Sequence, residues 1–411
     1  VGRGGGRRGW GALAAGARGG GDGVAAAVGG GRARRVAGVW WGWETLLPLW
    51  AWAGRGWADT ERCLRAWGRC GGGAATGPAF LLAGDGRDGP RGRIYLIKEM
   101  FEKERPADAR TALHIDRCLS CLSCMTTCPS GVHFMHLVDH ARAHIEKTYR
   151  RPFVERAMRA ALAFVLPRPS LARPLFRVAA AIRPLARLPP RRLAAPFALA
   201  PSRLPPASSV DAPQVFAAQG PRKMRVALLN GCVQTVIDTS INEATIRLLT
   251  RHGVEVVVAK GAGCCGALPH HLGKVDDSLR YARANIEAWT REIDSGGLDH
   301  VVINASGCGT SVKDYGHMFR NDPALADKAA HISAMTRDVT ELMTEIGFAP
   351  SGEAPKLRVA YHSACSLQHG QKISQEPVAL LTAAGFNVVS VPEGHICCGS
   401  AGTYNGLQPK L

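Results

Sequence analysis

From Lys223 onward the apolar positions follow two alternating rhythms. "MRVALLNG" is a nearly unbroken apolar run and predicts a buried strand. "INEATIRLLTRHG" spaces its apolar residues by three and four and ends in glycine, which predicts a helix and its stop. "VEVVVA" predicts a second strand, "DSLRYARANIEAWTREI" a long helix and "LDHVVINASG" a third strand. Strands alternating with helices predict a parallel sheet. Upstream, "PRGRIYLIKEMFEKE" and "HLVDHARAHIEKTYR" predict polar-flanked helices on either side of a cysteine-rich stretch. Residues 151–220 mix short amphipathic helices with prolines and end in "LPPASSVDAPQ", which reads as a linker. Residues 1–57 hold neither period.

The α/β part repeats itself. Cys232 follows a predicted strand, and "CCG" follows at Cys264, Cys265 and Gly266. Cys365, Cys397 and Cys398 each stand 133 residues after Cys232, Cys264 and Cys265, with Gly399 after the second pair. Three cysteines in register over that distance predict two copies of one α/β unit, at 221–345 and 346–411. The counterpart of Cys308 would fall beyond Leu411, so the second unit is expected to be truncated.

Cysteine gives the chain its chemistry. Cys118, Cys121, Cys124 and Cys128 follow the spacing C-x2-C-x2-C-x3-C-P, the bacterial ferredoxin run for a [4Fe–4S] cluster. Three thiolates at steps of three can hold three corners of a cube, and the fourth cysteine usually serves a second cluster. Pro129 keeps the loop from continuing as helix. A structural zinc site prefers two C-x2-C pairs a dozen or more residues apart. A disulfide framework belongs to short secreted chains, and no secretory signal is evident here. Reduced thiols in a cytosolic compartment are therefore expected.

Sliding the same spacing upstream places Trp67, Cys70, Gly73 and Gly77 at the four ligand positions, with Pro78 after the last. Cys70 is the one thiol retained, and Cys63 lies outside the register. Residues 58–150 thus read as a helical ferredoxin-like 4Fe-4S domain whose first motif is degraded. Eight of the nine tryptophans fall at or before Trp67. Residues 1–57, rich in Gly, Ala, Arg and Trp, are expected to be low-complexity, either non-native or disordered.

In the α/β units, neighbouring thiols such as Cys264 and Cys265 rarely bridge one another but can grip one cluster. Cys232 and Cys308 would complete a set in the first unit. Cys365, Cys397 and Cys398 would supply three ligands in the second, with buried structural cysteines as the alternative. Gly266 and Gly399 allow close backbone approach. His114, His133, His270, His271, His362, His369 and His395 read mainly as core or surface side chains. Those beside cysteine motifs can also ligate metal or relay protons. No Ser/His/Asp set, Walker loop or dinucleotide fingerprint is found, so no catalytic residue is assigned.

Net charge is +18 and unevenly spread. Between Arg150 and Arg203 lie twelve arginines and one acid, Glu155. Such a run attracts nucleic acid or an anionic lipid surface, or simply forms a solvated connector. It contains four phenylalanines but no tyrosine or tryptophan, which disfavours nucleic-acid stacking. No stretch is long and apolar enough to predict a transmembrane helix.

"DGPRGRIYLIKEM", "DRCLSCLSCMTTCPSGV", "LNGCVQ", "NASGCGTSVKDYGH", "SLQHGQKI" and "CCGSAGTYNGLQP" occur in that order. From about Glu61 to Leu411 the chain closely resembles the iron–sulfur subunits of bacterial glycolate oxidase. The resemblance implies two [4Fe–4S] clusters in a ferredoxin-like domain, followed by two cysteine-rich CCG domains. By it, Cys118, Cys121, Cys124, Cys128 and Cys70 are cluster ligands. It implies FAD-containing partner subunits that oxidise glycolate, and electrons passed on towards quinone. It also implies a peripheral place at the cytoplasmic face of the inner membrane. Trp67, Gly73 and Gly77 depart from the family's pattern. So does "CGTS" at Cys308, where heterodisulfide-reductase-type relatives carry a cysteine pair. Related complexes fed by lactate, glycerol 3-phosphate or a heterodisulfide share the cluster motifs and form the alternative.

Overall fold

The computed structural model describes residues 77–182, 201–350, 352 and 357–408. The expectations for residues 1–57, Cys63, Trp67, Cys70 and Gly73 lie outside these residues.

The chain enters through a helical region. Helix α1 (Pro78–Ala83) and α2 (Pro90–Glu102) each begin with proline in the first turn, where its missing N–H costs nothing. In α3 (Ala109–Asp116) the Asp108 carboxylate caps the helix by accepting from the Thr111 N–H at 2.6 Å. A one-turn helix, α4 (Ser123–Thr127), follows the first two cysteines of the motif. Helix α5 (Phe134–Thr148) buries Leu137, Val138, Ala141 and Ile145, spaced by one, three and four, against Ile94, Ile97, Met100 and Ile115. Two amphipathic helices, α6 (Phe153–Val165) and α7 (Pro169–Ile182), come next.

The α/β part is a five-stranded sheet in the order β1-β3-β2-β4-β5. Strands β2 (Met224–Leu228), β3 (Val254–Val258) and β4 (His300–Ile303) fall where the apolar runs predicted them, and they pair in parallel. Helices α8 (Ser240–Arg251) and α10 (Val275–Gly296) match the predicted ones, and the short α9 (Ala267–His271) lies between. Helices α11 (Ser306–Lys313), α12 (Tyr315–Met318) and α13 (Ala326–Met335) complete one layer.

Two strands correct the sequence reading. β1 (Gln214–Phe216) begins at the last residue of the stretch read as linker and pairs antiparallel with β3, so the sheet is not wholly parallel. β5 (Thr336–Asp338) extends the other edge in parallel with β4. Each is three residues long, too short to show alternation. Asp338 then opens α14 (Val339–Ile346) with a capping box closed by Glu341.

Alternate residues of the strands face opposite layers. Val226, Leu228 and Val302 pack with Leu249, Leu342 and Met343, while Ala227, Val301 and Ile303 pack with Ile286, Trp289 and Tyr315. With both faces covered, the strands read as continuous apolar runs, as observed.

The second unit is a parallel pair, β6 (Arg358–Tyr361) and β7 (Asn387–Ser390), with helix α15 (Glu376–Ala383) between them. It docks through a π-helical turn, Ser366–Gln371, laid along α11. Thr310 donates to the Ser366 carbonyl at 2.8 Å, and Gln371 donates to the Ser306 carbonyl at 3.0 Å. Among the described residues no helix is long and apolar enough to cross a membrane. The molecule is thus mixed α/β, with a repeated cysteine-bearing unit.

Candidate metal centre

The loop from Cys118 to Cys124 is wound tightly. Ser120 and Leu122 both adopt positive φ, at 55° and 61°, a costly conformation for residues with a Cβ. Arg142, reaching from α5, fixes the turn by donating to the Cys118 carbonyl at 2.7 Å and to the Ser120 hydroxyl at 2.6 Å. The result brings Cys118, Cys121 and Cys124 to the wall of a small cavity of about 20 Å³. Gly77 and Pro78 form part of the same wall. Gly77 is the position that the upstream register assigns to a fourth ligand. Cys128 lines neither this cavity nor the larger one described below, and packs against the helical core. Its extended backbone (φ −77°, ψ 113°) is what a following proline imposes.

The two α/β units build matching turns. Gly266 and Gly399 adopt positive φ, 83° and 85°. That conformation, natural only to glycine, aims each N–H at the first thiol of its CCG. Gly266 N lies 3.4 Å from Cys264 Sγ, and Gly399 N lies 3.4 Å from Cys397 Sγ. In the first unit Cys265 Sγ and Cys308 Sγ are 3.1 Å apart, and Cys232 hydrogen-bonds Cys264. In the second, Cys365 Sγ and Cys397 Sγ are 3.3 Å apart, while Cys398 is exposed. These are not disulfide distances, and none of the eleven described cysteines forms a disulfide.

Three parts of the chain converge. One cavity of about 400 Å³ is lined by Cys118 and Cys121 from the motif loop, by Cys232, Cys264, Cys265 and Cys308, and by Cys365 and Cys397. Cys121 hydrogen-bonds Cys397 across the boundary between the loop and the second unit. That bond, with burial, pushes the Cys121 thiol up. Burial pushes Cys124 up, and the Cys264 hydrogen bond with burial does the same to Cys232. Cys397 is lowered by Cys121, but its bond to Cys365 and its burial outweigh this and bring it to about 11. Thiols crowded this closely repel one another when ionised, so they resist ionising together. A metal centre resolves the conflict, because its positive charge deprotonates the thiols that bind it. The donor set, all sulfur, is the one that suits iron–sulfur clusters.

Sequence reading missed the polar scaffold behind these thiols. Asn285, fully buried in α10, accepts from the Gly263 N–H at 2.8 Å and donates to the Cys264 carbonyl at 2.9 Å. The Tyr315 hydroxyl donates to the Cys265 carbonyl at 2.8 Å. A lone asparagine or tyrosine in a helix carries no spacing signal that would have found it.

The histidines join the parts of the molecule rather than converging as ligands. His136 stacks between His133 and His317 and contacts Asp314 at 2.8 Å, tying α5 to α12. His270 contacts Asp139 at 3.2 Å, and His271 lies 4.0 Å from the same carboxylate. Burial raises Asp139, but His270, His271 and Arg142 outweigh it and hold the carboxyl well below its usual range. His369 bridges Thr126 at 2.7 Å and the His395 carbonyl at 2.9 Å, which pins the second unit to the motif loop. His362 contacts the Ile396 carbonyl at 3.1 Å. His114 clusters with the buried Asp88 and the half-buried Asp85, but Arg117 and Arg93 already pair with Asp88 and Arg87 with Asp85.

The comparisons with known proteins agree with this chemistry. The family described as "Cysteine-rich domain" matches residues 226–313 and 359–411, the two units built around the CCG turns. The chain is 40% identical over 358 residues to the glycolate oxidase iron-sulfur subunit of Escherichia coli (strain K12), covering 86% of this chain and 83% of that protein. It is 29% identical over 360 residues to the probable glycolate oxidase iron-sulfur subunit of Bacillus subtilis (strain 168), covering 84% and 80%. Over 190 residues it is 30% identical to lactate utilization protein A of the same organism, covering 46% of this chain and 77% of that protein. No solved structure matches. A chain this similar over most of both lengths, with its thiols gathered as described, belongs to the family of glycolate oxidase iron–sulfur subunits.

Proposed function

We propose that this chain is the electron-carrying subunit of a glycolate-oxidising complex, taking electrons from an FAD-containing partner and passing them towards quinone at the membrane. The observation that carries the reading is the cavity where eight thiols from three parts of the chain meet. Bound there and at the motif loop, iron–sulfur clusters supply one-electron transfer.

The protein's own work is to hold and shield. Residues 58–150 act as the ferredoxin-like domain. Within it, Cys118, Cys121 and Cys124 grip a [4Fe–4S] cluster, and Arg142 keeps their loop wound. Cys128 and Cys70 serve the companion site, whose motif is otherwise lost. Cys232, Cys264, Cys265 and Cys308 hold a further centre in the first CCG unit. Cys365, Cys397 and Cys398 contribute to one in the second. Asn285 and Tyr315 anchor the carbonyls of the CCG turn and keep its thiols facing inward. Hydroxy-acid oxidation belongs to the partner subunits.

The test is reconstitution without oxygen. Iron and inorganic sulfide are measured on the purified chain, and glycolate or lactate is then added with the flavin-bearing partners. Bleaching of the cluster absorbance by glycolate supports the proposal. Bleaching by lactate alone moves the assignment to lactate, and a colourless protein that binds zinc but no sulfide refutes it.

A further inference from the structure

Helices α6 and α7 present a face that nothing among the described residues covers. On α6 it is formed by Phe153, Val154, Ala157, Ala161 and Phe164, at helical spacing, and on α7 by Leu171, Pro174, Leu175 and Val178. Phe153 is 73% exposed, Phe164 57%, Leu175 53% and Val178 57%. Side chains this large and apolar, exposed on two consecutive helices, mark an interaction surface.

The arginines of this hairpin divide into two sets. One set holds it to the rest of the molecule. Arg151 pairs with Asp116 and Glu155, Arg159 donates to the Leu272 carbonyl, and Arg173 donates to the Pro205 and Thr235 carbonyls. The other set lies among the apolar residues. Arg156 sits over the Phe153 ring at 5.9 Å and Arg177 is exposed beside Val178, while the half-buried Arg168 bridges the two sets, lying over the Phe164 ring at 4.1 Å and over Tyr281 of α10 at 5.8 Å. The one acid of the hairpin, Glu155, is committed to Arg151. The sequence from Arg183 to Ala200 adds four arginines and no acid.

We infer that α6 and α7 form a plate that lies on an anionic phospholipid surface, apolar side chains among the acyl chains and guanidiniums at the headgroups. Arginine stems lie along apolar surface and carry their charge to the headgroup level. Headgroup phosphates supply the negative charge that this face lacks. A second copy of the chain would bring the same arginines against these and be repelled. The inference deepens the membrane side of the proposed function, yet it rests on the hairpin face and not on the clusters.

The test is flotation of the full chain with vesicles of phosphatidylcholine, alone or with one third phosphatidylglycerol. The chain is expected to float with the anionic vesicles and to bind neutral ones about tenfold more weakly. Leu175→Glu should weaken binding about tenfold or more, since a buried leucine side chain is worth roughly that much. Val178→Ala with Leu175→Ala, which keeps both positions helix-forming, should weaken it in the same direction. Arg156→Gln with Arg177→Gln should weaken it several-fold and blunt its sensitivity to salt. Helical circular dichroism checks that each variant folds. Failure to float, equal binding to both vesicles, or unchanged binding by Leu175→Glu would overturn the inference. So would variants that leave flotation intact but release the flavin-bearing partner or dissociate a dimer, since the face would then be a protein interface. No electrons are read, so failure here leaves the cluster proposal standing, and a colourless chain that floats would fail that proposal alone.

Discussion

Gly77 is the position at which structure and sequence together make the sharpest prediction. It stands at φ −86°, ψ 108°, an extended conformation that any residue adopts. A Cβ built there would meet Pro90 Cδ at 3.5 Å, Asp88 O at 3.8 Å and Phe80 Cβ at 3.8 Å, all ordinary contacts. Gly77→Cys therefore carries no steric cost. By narrowing the unfolded ensemble it should change the stability of the metal-free chain by about 0.5 kcal/mol, in the stabilising direction. The new side chain starts from the wall of the cavity that Cys118, Cys121 and Cys124 line. On the proposed reading it would supply a fourth thiolate to a cluster otherwise held by three. Each 1.4 kcal/mol of added binding slows loss about tenfold, so even a modest net sulfur–iron interaction is visible.

The assay is iron extraction by a chelator from the reconstituted protein, followed optically, with alkylation and mass spectrometry to ask whether the new thiol is protected. Gly86→Cys is the control, because a Cβ there meets open space and the position lines neither cavity. Gly77→Cys should lose iron about tenfold more slowly than the native chain, with its thiol protected only when iron is present. If the thiol alkylates equally fast with and without iron, or extraction matches Gly86→Cys, the placement of Gly77 at a ligand position is wrong.

Three further predictions concern the surroundings of the thiols. The two CCG glycines share a conformation but not a neighbourhood: a Cβ on Gly266 would lie 2.7 Å from the Ser278 carbonyl oxygen, whereas at Gly399 nothing lies within 4 Å. Gly399→Ala should cost about 1 kcal/mol and Gly266→Ala about 3 kcal/mol in urea unfolding, and equal losses would show that the Ser278 contact is not limiting. Asn285→Ala removes the partner of the Gly263 N–H and the Cys264 carbonyl, and should cost about 3 kcal/mol and speed iron loss, with native iron retention as the refuting result. Stability should also peak near pH 6.5. Asp139 raises His270 against its burial, so that share is complete below the unfolded value of about 6.5 and fades as pH rises through the folded value. Burial pushes His271 down to about 4, so its share is lost as pH falls from about 6.5 towards 4. Hydrogen exchange of residues 267–271 from pH 5 to 8 should show this maximum, and Asp139→Asn should flatten its alkaline side. A monotonic profile in the native chain would contradict the assignment.

Much of this architecture could be read from the residues because the relevant signals are local. Strands buried on both faces, such as Val254–Val258, must be apolar throughout, and so they announce themselves. The CCG repeat was visible because a turn needing a thiol beside a positive-φ glycine tolerates few other residues, and both copies keep the same 3.4 Å contact. What could not be read is whatever depends on distant parts meeting. Three-residue strands such as Gln214–Phe216 take their structure from the sheet they join, not from their own pattern. Nothing in the spacing of Cys121 hints that it meets Cys397. Nor does the sequence around Asn285 mark it as the anchor of Cys264. The histidines were legible only as a population, and their roles as ties between units emerged from their partners.

The approach of the three parts has its own physical logic. A cavity walled by thiols gains little from the hydrophobic effect, so other contacts must hold its walls at close range. Glycines do this where backbones or short side chains meet. A Cβ on Gly273 would lie 2.4 Å from the Arg142 carbonyl oxygen, which sits on the helix whose arginine winds the motif loop. A Cβ on Gly370 would lie 2.6 Å from Thr310 Oγ1, on the helix that carries Cys308. His369 then reaches from the same π-helical turn to Thr126, between Cys124 and Cys128. The last two ties end within a few residues of a thiol, and the first ends on the helix whose Arg142 holds the Cys118 carbonyl. The proposed cluster sites, joined in this way, would move together, so the separation between them would be set by the protein rather than by diffusion of one part against another. That is the arrangement the proposed relay of single electrons would require, since transfer through a protein weakens steeply with distance. It also explains why polar ties serve here better than a continuous apolar core: they fix position while leaving the cavity free for metal.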